Sequence, residues 1–341
     1  MRFPDLRLFL SVAILTSNLL APPELSTALA TPGGGASNIR SGSLPGAQEP
    51  QQPIRVQVEL VNLFATVRDN KKRLVADLTK DDFRVSEDGQ EQKIEFFSRE
   101  TALPITLGLL IDTSGSQSHL LGAEQEAAVR FLHRVLRKTD LAMVISFDLD
   151  VDLLSDFTND TAQLERAIHS ARINAPAGVT PGPFPQRRPK GTDFYDAIYL
   201  ACREKLGGEA GRKALLILTD AEDVGSKMRL EDALEAAQRT DTVMHIILIA
   251  DPRQYLSYSG ESVAKKLAED TGGRVISVRN DKKLEEAFDQ IAEELRSQYT
   301  LGYYPRNTAR DGSFRKIKIE TTRPGLKVLA RKGYYAPKSS Q

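Results

Sequence analysis

An aspartate and two serines stand at Asp112-Thr-Ser-Gly-Ser116, directly after the apolar run Ile105-Thr-Leu-Gly-Leu-Leu-Ile111. A carboxylate and two hydroxyls at i, i+2 and i+4 around a tight turn are hard oxygen donors, which suit a divalent cation of the Mg²⁺ kind. The run before them is almost unbroken in its apolarity, the pattern of a strand buried on both faces of a parallel sheet. Ligands of open α/β sheets bind outside the C-terminal ends of such strands. The chemistry this stretch suggests is cation capture at a strand end.

Two more oxygen-bearing side chains sit in comparable places: Thr192 in Gly191-Thr-Asp193 at a helix start, and Asp220 closing the apolar run Ala214–Leu218. In this order and context, Asp112-x-Ser114-x-Ser116, Thr192 and Asp220 resemble the metal-ion-dependent adhesion site of von Willebrand factor A domains, over roughly residues 104–296. The resemblance implies that Ser114 and Ser116 ligate directly through their hydroxyls. Thr192 would ligate directly or through water, and Asp112 and Asp220 would supply charge, partly through bridging waters. The whole chain also resembles exported bacterial proteins related to this family. Two carboxylates and three hydroxyls leave a Mg²⁺ ion short of its octahedral shell. Water fills the remaining position until a partner's Asp or Glu carboxylate replaces it. Mn²⁺ is an alternative occupant.

Other chemistries fit less well. An aspartic protease needs a second carboxylate turn to share a proton, and the alternating strand–helix setting is the wrong one for that chemistry. An aspartyl phosphatase wants an acid where Ser114 stands, and neither a Gly-x-x-x-x-Gly-Lys loop nor a Gly-x-Ser-x-Gly elbow occurs. Asp148, Asp150 and Asp152 alternate as in a calcium loop, but the glycine and glutamate such a loop needs are replaced by Leu153 and Asn159, so they read as solvated hairpin acids. His245 reads as a satisfied core residue, His119 as a helix-start residue and Cys202 as core. Glu222 and Asp223 read as loop charges. Arg187, Arg188 and Lys190 either steer an acidic partner or form a solvated loop. The functional expectation is a non-enzymatic protein that binds a protein partner through Mg²⁺. The alternatives are a scaffold with an idle site and, behind that, a metal-dependent hydrolase.

The elements that position these residues follow from periodicity. The chain has 341 residues, enough for two folded units, and 40% apolar composition. Lys+Arg and Asp+Glu are equal at 46 each, which argues against a nucleic-acid or anionic-membrane surface. A single cysteine rules out an intramolecular disulfide. Residues 1–30 read as a secretory signal, with an apolar stretch from Leu8 to Leu20 and Ala28-Leu-Ala30 as a cleavage site. The mature chain is expected to lack a membrane span and to be secreted or periplasmic. Residues 31–53, rich in Pro, Gly and Ser, form a linker.

From 54 to 103 the apolar residues alternate, with a hairpin signal at Asp88-Gly89. Such short strands need partners from elsewhere. Residues 104–296 alternate strands with helices, which predicts a doubly wound, mostly parallel α/β sheet with helices on both faces. A helix is expected from about 118 to 139 with Leu121, Val129, Leu132 and Leu136 on its buried stripe. Another is expected after a capping-box-like Asp160/Gln163 start. Residues 297–337 return to β character, and Gly302-Tyr-Tyr304 is echoed by Gly333-Tyr-Tyr335. These strands are expected to complete the sheet begun at 54–103, making the α/β domain an insertion in a small β-sandwich-like domain.

Overall fold

The computed structural model describes residues 60–99, 103–173, 191–249 and 258–339, which fall in one compact unit, Val56–Gln341. The signal-like and linker segments and the Arg187-Arg188/Lys190 loop lie outside the described residues.

The first strands are β1 (Val61–Arg68), β2 (Phe83–Glu87), β3 (Gln90–Gln92) and β4 (Ile94–Ser98). The α/β part follows as β5 (Ile105–Asp112), α1 (Leu121–Val135), β6 (Leu141–Phe147), β7 (Val151–Thr158), α2 (Thr161–Ser170), α3 (Phe194–Leu200) and β8 (Arg212–Thr219). It continues with α4 (Leu230–Arg239), β9 (Thr242–Ile249), α5 (Tyr258–Thr271), β10 (Val275–Val278) and α6 (Asp281–Arg296). The chain ends in β11 (Tyr299–Tyr303), β12 (Phe314–Thr321), β13 (Lys327–Leu329) and β14 (Gly333–Tyr335).

The central sheet has the order β10-β9-β8-β5-β6-β7. All its pairs are parallel except β6–β7, a hairpin that makes an antiparallel edge. Every residue of β5 is buried, because helices cover both faces. Ile105, Leu107, Leu109 and Ile111 pack with residues of α1, α2 and α6, while Leu110 packs with residues of α3, α4 and α5. Gly108 lies where a Cβ would come 2.5 Å from Leu215 and 2.8 Å from Met143, so the strand neighbours close over a position with no side chain. This is the mostly parallel α/β architecture expected from the periodicity.

Three details differ from the sequence reading. The buried face of α1 runs through Leu121, Glu124, Ala128, Phe131 and Val135 together with Leu132, whereas Val129 and Leu136 are only partly buried. Asp160 caps α2 by accepting from the Ala162 and Gln163 N–H groups. Gln163, however, turns its side chain to Ser155 Oγ, so the cap is one-sided and no capping box forms. Helix α1 itself spans Leu121–Val135, shorter at both ends than the expected 118 to 139.

The flanking strands form two antiparallel four-stranded sheets, β13-β1-β11-β4 and β14-β12-β2-β3, each drawing on both sides of the α/β segment. Leu63 pairs with Leu301 and Val85 with Ile319. Side chains of the two sheets share one core, including Leu63, Phe83, Val85, Leu301 and Ile317. Inside it Glu87 is 3% exposed and accepts from Tyr303 Oη at 2.7 Å, Tyr334 Oη at 3.0 Å and Arg315 Nη1 at 3.3 Å. The repeated Gly-Tyr-Tyr therefore supplies, from β11 and β14, two phenols for one buried carboxylate. Burial, aided by Glu87, raises the pKa of both phenols.

Chain entry and exit of the α/β part are fastened together. Asp140 Oδ1 accepts from the Ile105 N–H at the start of β5, and Asp140 Oδ2 pairs with Arg296 at the end of α6. Arg212 bridges the Leu295 carbonyl and Gln298 Oε1. Nearby, Glu294 of α6 pairs with Arg68 of β1 and with Arg274. His245 lies 3.7 Å from Glu294 with neither ring nitrogen hydrogen-bonded, so it is a core residue but not a satisfied one. Burial lowers its pKa despite Glu294, with Arg274 and Arg68 working in the same direction as burial.

That depression fixes a sign. The unfolded chain, with its histidine near 6.5, binds a proton before the folded chain does, so the His245 contribution to stability is complete above that value and is lost as pH falls below it. Urea unfolding between pH 7 and 5 is expected to show His245→Gln losing less stability than wild type. The difference in slope should reach at most about 1.4 kcal/mol per pH unit.

Candidate functional site

Asp112, the last residue of β5, is fully buried. Its Oδ1 accepts the Ser114 N–H at 2.9 Å, an aspartate-initiated turn that swings the chain out of the sheet. A short 3₁₀ turn over Gly115–Gln117 then brings Ser114 Oγ within 2.9 Å of Ser116 Oγ. Gln117 Nε2 donates to Ser116 Oγ at 3.4 Å.

β8 runs parallel beside β5, with Leu218 opposite Ile111, so it delivers Thr219 and Asp220 to the same edge. Thr219 Oγ1 donates to Asp112 Oδ2 at 2.6 Å and accepts the Ala221 N–H at 2.9 Å. Ala221 adopts φ +60°, in the left-handed region that non-glycine residues seldom occupy. This sharp turn leaves Asp220 half-buried beside Asp112. Behind it, Gly260 of α5 abuts the Asp220 carbonyl, where a Cβ would sit at 2.7 Å.

Thr192 reaches this edge from the other side. Its carbonyl accepts the Val224 N–H at 3.1 Å, from the loop after β8. The next N–H, of Asp193, donates to the Asp148 carbonyl at 2.6 Å, from the loop after β6. Asp148 is itself tied to the β5 end, accepting from Thr113 Oγ1 at 3.1 Å. Gly191 lets this segment through, because a Cβ there would meet Leu149 at 2.5 Å and the Val224 carbonyl at 3.2 Å.

Asp112, Ser114 and Ser116 are thus joined by hydrogen bonds, and Asp220 acts on Asp112 through its charge. Thr192 sits 7% exposed between the two loops that flank β5. Asp148 is not a solvated acid: it is 5% exposed and holds the Thr113 hydroxyl as well as the Leu149 and Asp150 N–H groups. Asp150 and Asp152 are exposed. Asp223 accepts from the Tyr195 N–H and Ser226 Oγ and so braces the start of α3, while Glu222 is exposed. Cys202 is fully buried, and its thiol is pushed up to about 12 by desolvation. His119 is exposed.

The electrostatics are one-sided. Burial, reinforced by Asp220, pushes the Asp112 carboxyl up to about 7. Glu124, on the buried stripe of α1, is pushed up to about 8 by burial and then by Asp112 and Asp220. A negative site of this kind calls for a cation. Both Asp112 oxygens are engaged by protein donors, which suits it to balancing charge from behind the hydroxyls. Octahedral ligands with bonds of about 2.0–2.1 Å stand about 2.9 Å apart, the separation of the two serine Oγ atoms. Among the described residues, no group of three or more His, Cys, Asp or Glu is set to hold a metal directly; a cation held here would rest chiefly on hydroxyls. The donor set fits Mg²⁺.

Residues 107–222 match the family model of the von Willebrand factor type A domain, a stretch that includes all five positions. A search of curated protein sequences gives no match. Among solved structures, BatB, a conserved hypothetical protein from Bacteroides thetaiotaomicron, is 17% identical with a TM-score of 0.44 and covers 57% of this chain and 100% of its own. A von Willebrand factor type A protein from Catenulispora acidiphila is 11% identical with a TM-score of 0.47, covering 85% of this chain and 76% of its own. The vWF domain of the type V pilus tip protein Mfa5 from Porphyromonas gingivalis is 13% identical with a TM-score of 0.41, covering 56% and 94%. The α/β part has a von Willebrand factor A-like fold.

Sequence reasoning missed Thr219, Gln117, Glu124 and Asp148. Thr219→Val would leave Asp112 Oδ2 without its donor while keeping the shape. In EDTA, urea unfolding is expected to show a loss of about 1–3 kcal/mol, the scale of an unsatisfied buried acceptor. An unchanged midpoint would mean that the Thr219 bond does not support Asp112.

Proposed function

We propose that this chain binds a protein partner through a divalent cation held by Ser114, Ser116 and Thr192 and charge-balanced by Asp112 and Asp220. Mg²⁺ is the expected ion, with Mn²⁺ able to replace it. The carrying observation is the pair of serine hydroxyls 2.9 Å apart above a fully buried carboxylate, at the strand edge to which Asp220 and Thr192 are also delivered. Three hydroxyl ligands, with the two carboxylates balancing charge around them, leave room in an octahedral shell. A partner's Asp or Glu fills that room, since an anionic oxygen gains most from the cation and exchanges with water. The reading is of a binding module and not of an enzyme.

Export is part of the same proposal and rests on the signal-like residues 1–30. Among the described residues no helix is long and apolar enough to cross a membrane. A secreted, periplasmic or surface-exposed protein would meet partner carboxylates where free divalent cations are plentiful.

The test is a pull-down from envelope extract with the full chain as bait, in Mg²⁺, in EDTA, and in Mg²⁺ with Asp112→Ala. A partner is expected in the first sample and absent from the other two. Equal recovery in all three would remove the metal from the interaction.

A further inference from the structure

Glu124 is unexplained by the five-residue site. It lies in the first turn of α1 and has no exposed surface. Neither carboxylate oxygen has a hydrogen-bond partner. It is near enough to Asp112 and Asp220 for both charges to act on it. Gln117, 2% exposed and on the turn that carries Ser116, also leaves its Oε1 unpartnered, its Nε2 being spent on Ser116. Three buried acceptor atoms, two on Glu124 and one on Gln117, therefore lack donors, Gln117 being bonded to the serine turn and Glu124 lying within the reach of the Asp112 and Asp220 charges.

A buried carboxylate without a donor is among the more expensive arrangements a protein can hold. What would satisfy it must carry positive charge and donate hydrogen bonds. Water on a divalent cation does both, because the metal polarises its O–H groups, and ligand shells of this kind are commonly completed by outer carboxylates. We propose that Glu124, with the Gln117 side-chain oxygen, forms a buried acceptor floor beneath the cation and holds the metal's inner water molecules, leaving the outer face for the partner carboxylate. Glu124 is a positioning residue, acting on the metal through water. With a cation bound to draw off its proton, Glu124 would add a third negative charge and tighten the grip on a hydrated divalent ion.

This inference rests on the metal reading proposed above, and one experiment separates the two. Mn²⁺ binding to the full chain is followed by electron paramagnetic resonance of the free ion, for wild type, Asp112→Ala and Glu124→Gln, alongside melting curves in EDTA. Wild type is expected to bind one Mn²⁺ and Asp112→Ala none. Glu124→Gln should bind about 10–100-fold more weakly, the usual effect of losing an outer-shell partner, while melting no lower than wild type without metal.

A merely structural Glu124 would move the melting point and not the affinity. Glu124→Gln binding as tightly as wild type overturns the acceptor floor and leaves the metal site standing. A wild-type protein that binds no Mn²⁺ overturns both. Should Glu124→Gln fail to fold, Glu124→Asp, which keeps the charge and shortens its reach, decides on the same affinity measurement: a loss supports the floor and an unchanged value overturns it.

Discussion

Asp112 ends the central strand as a carboxylate with no exposed surface, one oxygen held by the Ser114 N–H and the other by Thr219 Oγ1. Those two bonds fix the direction in which the chain leaves β5 and the register at which β8 ends beside it. They also leave a charge in a place where desolvation and Asp220 both work against it. Two neutral hydrogen bonds do not offset the desolvation of a buried ion. On the proposed reading, a cation on the serine side, near the paired hydroxyls, would make the arrangement favourable. On that reading, a capacity to bind a cation and a poor charge balance without one would be the same property.

The rest of the fold keeps this edge rigid. The parallel sheet is closed on both faces by helices, so the end of β5 moves only if its neighbours move. On the opposite edge, Asp140 pins the first residue of β5 and the last of α6 to each other, and Arg212 ties β8 to the same exit. The β-sandwich has its own polar centre in Glu87, with two phenols and a guanidinium around it. Removing one partner from such a buried group leaves an uncompensated charge, so these clusters penalise alternative packings. Glu294 of α6 links the two parts directly, pairing with Arg68 of the sandwich and with Arg274, just before β10.

Much of this was legible before the structure. The nearly continuous apolar runs of β5, β8 and β9 point to a covered sheet, and strand–helix alternation gives its parallel order. The strand-end positions of Asp112 and Asp220 follow from where those runs stop. What escaped were side chains whose role depends on a neighbour distant in sequence. Thr219 looks like one more strand residue until β8 is placed beside β5. Asp148 looks like a hairpin acid until the Thr113 hydroxyl is found against it, and His245 looks satisfied until neither ring nitrogen proves to be hydrogen-bonded, with Glu294 3.7 Å away. Glu124 did leave a signal. It lies three residues after Leu121 and four before Ala128, a charge on the apolar stripe of an amphipathic helix. Placing the stripe through Val129 and Leu136 hid it.

The central claim is that these oxygens share a cation, and a crystal grown with Mn²⁺ tests it most directly through the anomalous difference map. One strong peak is expected, about 2.1 Å from Ser114 Oγ and Ser116 Oγ as befits a small hard ion, with Thr192 and Asp220 turned toward it and water on the open side. A map without a peak there at saturating Mn²⁺, while the serine hydroxyls stay bonded to each other, would contradict the account.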